Sequence, residues 1–202
     1  LTLHGDTRRL EEVMWRLASE IAADKAQGFH AISLVWANGL ISGAAEALKP
    51  LFEHAAAIAN GNKDDADARI EKMTRPVGRA LWRDVRRQAQ IAARQTGDAT
   101  HALTALVELC LKTDRRLHLQ TEGAGVLLLV ALLAGPFKSG RLRDDLGRVL
   151  DQLTLVAPLV RPQEFDDHIG SFLEGWSGRA TIFRPDATFD ERLCVGAYSR
   201  SW

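Results

Sequence analysis

Eight consecutive positions, Val126 to Leu133, are apolar. No polar face can be drawn on that run, so as a helix it must be surrounded on all sides. The pattern predicts a central helix over 123–135. Thr121 stands where it can cap the start, and Gly135-Pro136 ends the run because proline lacks the N–H that would extend the ladder. Amphipathic stretches flank this element. Leu10, Val13, Met14, Leu17 and Ile21 repeat on one face of a helix over 7–27, closed by Gly28. A second helix is expected over 31–48, with Gly39 and Gly43 spaced for close packing, and an alanine-rich one over 51–60.

The polar stretch 60–67 reads as a loop. A short helix over 64–74 follows, and Pro76 then opens the next, over 77–95, at its first turn. Asp98 caps a helix over 99–112 that turns Leu103, Leu106, Val107 and Cys110 inward. Ser139 caps one over 140–156 with a stripe of Leu142, Leu146, Val149, Leu150 and Leu153. The cleanest amphipathic pattern is Phe165, Ile169, Phe172, Leu173 and Trp176, a helix over 162–176. From 177 the pattern turns short and β-branched (RATIF, then LCVGAY), which fits a hairpin or an irregular tail.

No strand–helix alternation emerges, which argues against a parallel sheet. The expected fold is therefore mainly α. It is a compact bundle of about seven to nine helices around the 123–135 helix, a domain over 1–176 with a tail over 177–202.

Composition changes this picture little. The chain has 202 residues, enough to bury a real core. The 46% hydrophobic and 26% charged content is that of a soluble domain. The 26 basic and 26 acidic residues cancel, which argues against a histone-like nucleic-acid binder. Two cysteines, Cys110 and Cys194, make neither a disulfide framework nor a CxxC zinc site, and reduced thiols in the cytoplasm are expected. The apolar run is shorter than the about 20 residues that span a bilayer. Asp6, Arg8, Arg9, Glu11 and Glu12 leave no room for the apolar stretch of a signal peptide.

Familiar chemistry is missing from the motifs. No GxxxxGK[ST], GxGxxG, GxSxG or HExxH occurs, so no catalytic residue, cofactor or metal is expected. Gly170-Ser171 lies on a helical pattern and not on a strand–turn elbow. Glu164 and His168 share a helix face and form one arm of a metal site without the second arm that a di-metal bundle needs. Arg94 and His101 have a spacing used in some nuclease clefts, but Gly97-Asp98 separates them. Asp64, Asp65 and Asp67 read as loop and cap residues, since they lack a DDxxD spacing.

One surface stands out. Arg75, Arg79, Arg83, Arg86, Arg87 and Arg94 fall within an arc of roughly 120° at about 100° per residue, opposite Val77, Leu81, Val85 and Ala92. Gln90 shares that face, and Trp82 lies at its edge. Like charges at i,i+4 repel, so clustering them costs helix stability unless an anion compensates. Guanidinium binds phosphate and carboxylate bidentately. The expected function is a non-enzymatic helical subunit of a larger assembly that contacts DNA or RNA backbone through these six arginines. The competing readings are a protein-interaction or scaffold module, including a homo-oligomer, and an enzyme without a familiar motif. Internal pairing with 64–71 or 164–167 is the alternative fate of the arginines, and no membrane partner is expected.

Overall fold

The computed structural model describes residues 1–5, 10–35, 50, 53–54, 57–58 and 63–184. Its centre is a five-stranded, wholly parallel sheet and not a helical bundle. The strands are β1 (Thr2–Gly5), β2 (Ser33–Val35), β3 (Leu117–Gly123), β4 (Leu150–Val156) and β5 (Arg179–Phe183), in the order β2-β1-β3-β4-β5. The helices are α1 (Leu10–Ala26), α2 (Lys63–Ala92), α3 (Asp98–Thr113), α4 (Gly125–Ala134) and α5 (Arg141–Val149). A helical segment over 162–173, here α6, passes through a π-helical turn at Phe165–Gly170. This is a doubly wound α/β arrangement, and it overturns the all-α bundle.

Two of the missed strands, β3 and β4, have a physical reason. In Leu117–Gly123 the side chains alternate. Leu117, Leu119 and Thr121 are buried, while Gln120 is exposed. That period of two is a strand signal hidden beside the stronger apolar run. The stripe Leu146, Val149, Leu150, Leu153 fits a helical period, yet α5 stops at Val149 and Leu150–Val156 is a buried strand. Leu150, Leu153 and Leu155 all face the core, and such short apolar runs fit both periods. RATIF, read as half of a hairpin or tail, pairs in parallel with β4 as the edge strand β5. Ser33–Val35, read as helix, is β2. The rest of the 31–48 helix with Gly39 and Gly43, most of 51–60, the LCVGAY stretch and Cys194 lie outside the described residues.

The helices α3 and α4 fall where the pattern places them. Val126 and Leu132 are 0% exposed, and Leu127, Leu128 and Leu129 are buried with them. Helix α4 packs on β1, β3 and the π-helical turn. Its strip of Val130, Ala131 and Ala134 is not fully covered. Leu103, Val107 and Cys110 of α3 are buried, and burial pushes the Cys110 thiol above its usual range. On helix α1 Leu17 is buried and Ile21 is half-buried, as its pattern places them, while Met14 is 53% exposed. Pro76 sits inside α2 and does not start it, so 63–92 is one helix.

The chain divides into two compact units. One comprises Leu1–Asp6, Leu10–Ala37 and Arg86–Arg184, and the other Thr7–Arg9, Asn38–Val85 and Pro185–Trp202. The sheet and everything built on it belong to the first.

Candidate functional site

In a doubly wound sheet, ligands bind beyond the carboxyl ends of the strands where the winding direction reverses. With the order 2-1-3-4-5, that point lies between β1 and β3. In register, His4 neighbours Glu122 and Gly5 neighbours Gly123. Arg16 of α1 reaches across to Glu122 with both fork nitrogens, Nη1 to Oε1 and Nη2 to Oε2, each at 2.9 Å. The same Nη2 lies 3.2 Å from His4 Nδ1. Glu20, one turn beyond Arg16, lies 3.5 Å from Arg16 Nε and 3.9 Å from His4 Nε2. His4 is 1% exposed. The imidazole of His4 beside it, 3.6 Å away, is the main reason that the Glu122 carboxyl is held down at about 2; Arg16 acts in the same direction, against the penalty of burial. The cluster sets one arginine, Arg16, against two carboxylates, Glu122 and Glu20, with the buried His4 imidazole among them.

Above it, β3 turns directly into α4. Gly123 takes φ 55, Ala124 is the N-cap, and α4 begins at Gly125. A left-handed turn at that point suits glycine, which has no Cβ to strain. The amide of Leu159, in the loop after β4, donates to Gly123 O at 3.2 Å. None of His4, Arg16, Glu122 and Gly123 was singled out from the sequence. The available signal was G-x-G following an alternating L-H-L-Q-T-E stretch.

A second feature lies beside α4, within the same unit. A groove of about 430 Å³ is floored by Leu127, Val130, Ala131 and Ala134. One wall is the end of α2 and the turn after it, with Arg86, Gln90 and Arg94; the other is α6, with Glu164 and His168. Arg86 grips Glu164 bidentately, Nη1 to Oε1 at 2.7 Å and Nη2 to Oε2. That pairing holds the Glu164 carboxyl below its usual range, against burial. Arg94 lies two residues past the end of α2, exposed, with no carboxylate partner among the described residues.

The six arginines therefore have different fates. Arg86 and Arg94 line the groove. Arg75 pairs with Glu71 one turn back on α2. Arg83 donates from Nε to the Arg79 carbonyl, and Arg79, Arg83 and Arg87 are exposed without carboxylate partners among the described residues. On the face opposite, Val85 is buried, while Val77 is exposed. Arg94 and His101 do not share a cleft: His101 lines a separate hollow with Thr104 and Glu108. Glu164 and His168 do share the groove, and among the described residues no group of three or more His, Cys, Asp or Glu stands ready to hold a metal ion. Among the described residues, no helix is long and apolar enough to cross a membrane.

No family model, curated protein or solved structure matches this chain.

Proposed function

We propose that this chain is a non-enzymatic binding module of the cytoplasm, built on a doubly wound sheet. The observation that carries the proposal is Gly123. In G-x-S-x-G enzymes the nucleophilic serine stands on a strained strand-to-helix turn at the sheet's carboxyl edge. Thr121-Glu122-Gly123-Ala124-Gly125 makes such a strand–turn–helix, with glycine where the serine hydroxyl would be. The neighbouring Arg16 and His4 both face Glu122. A general base needs a partner to deprotonate, and this turn offers no side chain.

The test is ester turnover. Purified protein incubated with p-nitrophenyl acetate and butyrate should release nitrophenol at the buffer rate, and a fluorophosphonate probe should leave it unlabelled. Turnover above that rate which disappears in His4→Ala would overturn the reading.

One observation favours a second reading, contact with a nucleic-acid backbone. Arg79 and Arg83 are exposed on α2 and have no carboxylate partner among the described residues. Binding to a generic oligonucleotide that falls steeply with salt would support it, and no binding at low salt would remove it.

A further inference from the structure

The groove beside α4 collects two features that stand far apart in the sequence, the Arg86/Gln90/Arg94 wall and the Glu164/His168 pair. Its floor is a strip of the most apolar helix among the described residues. Leu127, Val130, Ala131 and Ala134 are spaced 3, 1 and 3 residues apart, so they form one continuous stripe. The stripe's neighbours on α4 are buried, yet Val130 and Ala131 are only partly covered and Ala134 is exposed. An uncovered apolar strip at the bottom of a concave site calls for an apolar ligand body.

The walls set the charge of that ligand. Arg86 is neutralised by Glu164 in a two-pronged pair, leaving its guanidinium committed. Arg94 is left over at the rim, with the amides of Gln90 and Gln95 beside it. A guanidinium that is uncompensated among the described residues, with neutral donors next to it, suits one carboxylate, which Arg binds through its planar fork. The π-helical turn supports the placement. Phe165–Gly170 widens α6 where it borders the groove, and His168 of that turn lines the site together with Glu164. Such turns recur at functional sites.

We infer that the groove binds a small amphipathic monocarboxylate, its carboxylate on Arg94 and its hydrocarbon along Val130, Ala131 and Ala134. The volume of about 430 Å³ lies in the range of small-molecule sites. This inference deepens the binding reading above and rests on it, but involves no catalytic step.

The probe is sodium octanoate, titrated into the full chain and followed by calorimetry and amide chemical shifts. Saturable binding is expected, with shifts centred on 127–134 and 86–95. Octan-1-ol, which keeps the tail and lacks the charge, should bind about tenfold more weakly or worse, and inorganic phosphate should not shift those amides. Arg94→Gln should weaken octanoate by about tenfold, because a charge-assisted contact is lost at an exposed side chain that holds nothing else in place. Ala131→Trp, which fills the floor from a partly exposed position, should abolish binding. No saturable octanoate binding, shifts centred elsewhere, or an Arg94→Gln variant with unchanged affinity would overturn the inference. Each of these leaves the ester-turnover result untouched, so failure of the ligand and failure of the non-enzymatic reading are separable.

Discussion

Among the described residues, two arginine–glutamate forks look alike and sit in different surroundings. Arg16 and Glu122 meet at the carboxyl end of the sheet, alongside the fully buried His4 and with Glu20 closing the circle. Arg86 and Glu164 meet on a groove wall, with a further cation, Arg94, nearby and without a carboxylate partner among the described residues. In the first set one arginine faces two carboxylates, while in the second two arginines stand with one, among the described residues. Carboxylates that outnumber the arginine at a switch point tie strands and a helix together and repel a further anion. A cluster with a surplus cation over an apolar floor has something to offer a ligand. The same two-pronged chemistry therefore serves structure in one place and recognition in the other, and the balance of charges around each pair decides which.

Both regions hang on α4, whose first turn carries the Gly123 bend and whose uncovered strip floors the groove. The largest effect is therefore expected there. Leu129 is 1% exposed, and Leu129→Ala should cost about 2–5 kcal/mol by lost transfer energy and a cavity. Urea denaturation should show a lower midpoint, and octanoate binding should weaken in step as the folded population falls. A loss below about 1 kcal/mol would mean that α4 is not the shared support of the two regions.

The next effect separates the forks by stability. Glu122→Gln keeps the shape and removes the charge that faces Arg16 and His4. The expected cost at pH 7 is about 1–3 kcal/mol, that of hydrogen bonds to a charged group. Its pH dependence has a definite sign. The folded carboxyl titrates at about 2, below its ordinary value of 4.5, so the folded state favours the ionised form. That contribution is fully present above pH 4.5 and is lost as pH falls toward 2. The difference between wild type and Glu122→Gln, measured by denaturation at a series of pH values, should shrink across that window. A difference that stays constant down to pH 2 would show that the charge of Glu122 is not what holds this end of the sheet.

How much of this was written in the sequence depends on the period of each segment. The eight-residue run of α4 and the stripe of α3 are long and one-sided, and they are readable as helices. The strands are three to seven residues long, and two of them, β2 and β4, sit inside longer helix-compatible runs. The alternation in β3 is a strand signal, but it stands beside the stronger apolar run of α4. With the strands unread, the switch point could not be located. His4 and Glu122 are 118 positions apart, and only the β1–β3 register makes them neighbours. Gly123 looked like the start of a helix, because the left-handed bend is a property of the strand before it. The groove was half legible. Arg86, Gln90 and Arg94 were marked by helical spacing, as were Glu164 and His168, but no local pattern could say that the two sets face each other.

The smallest expected effect is the most discriminating. Glu164→Gln removes the partner of Arg86 on the groove wall. Both side chains are about a quarter exposed (24% and 28%), and such solvent-screened pairs contribute about 0–1 kcal/mol. The stability change should be correspondingly slight, in contrast to Glu122→Gln. Binding should move the other way. With Glu164 neutral, the guanidinium of Arg86 is no longer compensated, and the groove presents two cations instead of one to a carboxylate. Octanoate affinity should rise by about threefold or more at low salt, and the gain should fade as added salt screens it. If Glu164→Gln instead weakens octanoate, the fork is holding the wall in place as Arg16 and Glu122 hold the sheet's end, and the distinction between the two regions collapses. If stability falls by as much as in Glu122→Gln while affinity rises, the fork serves both purposes, and charge balance alone does not separate a structural cluster from a binding one.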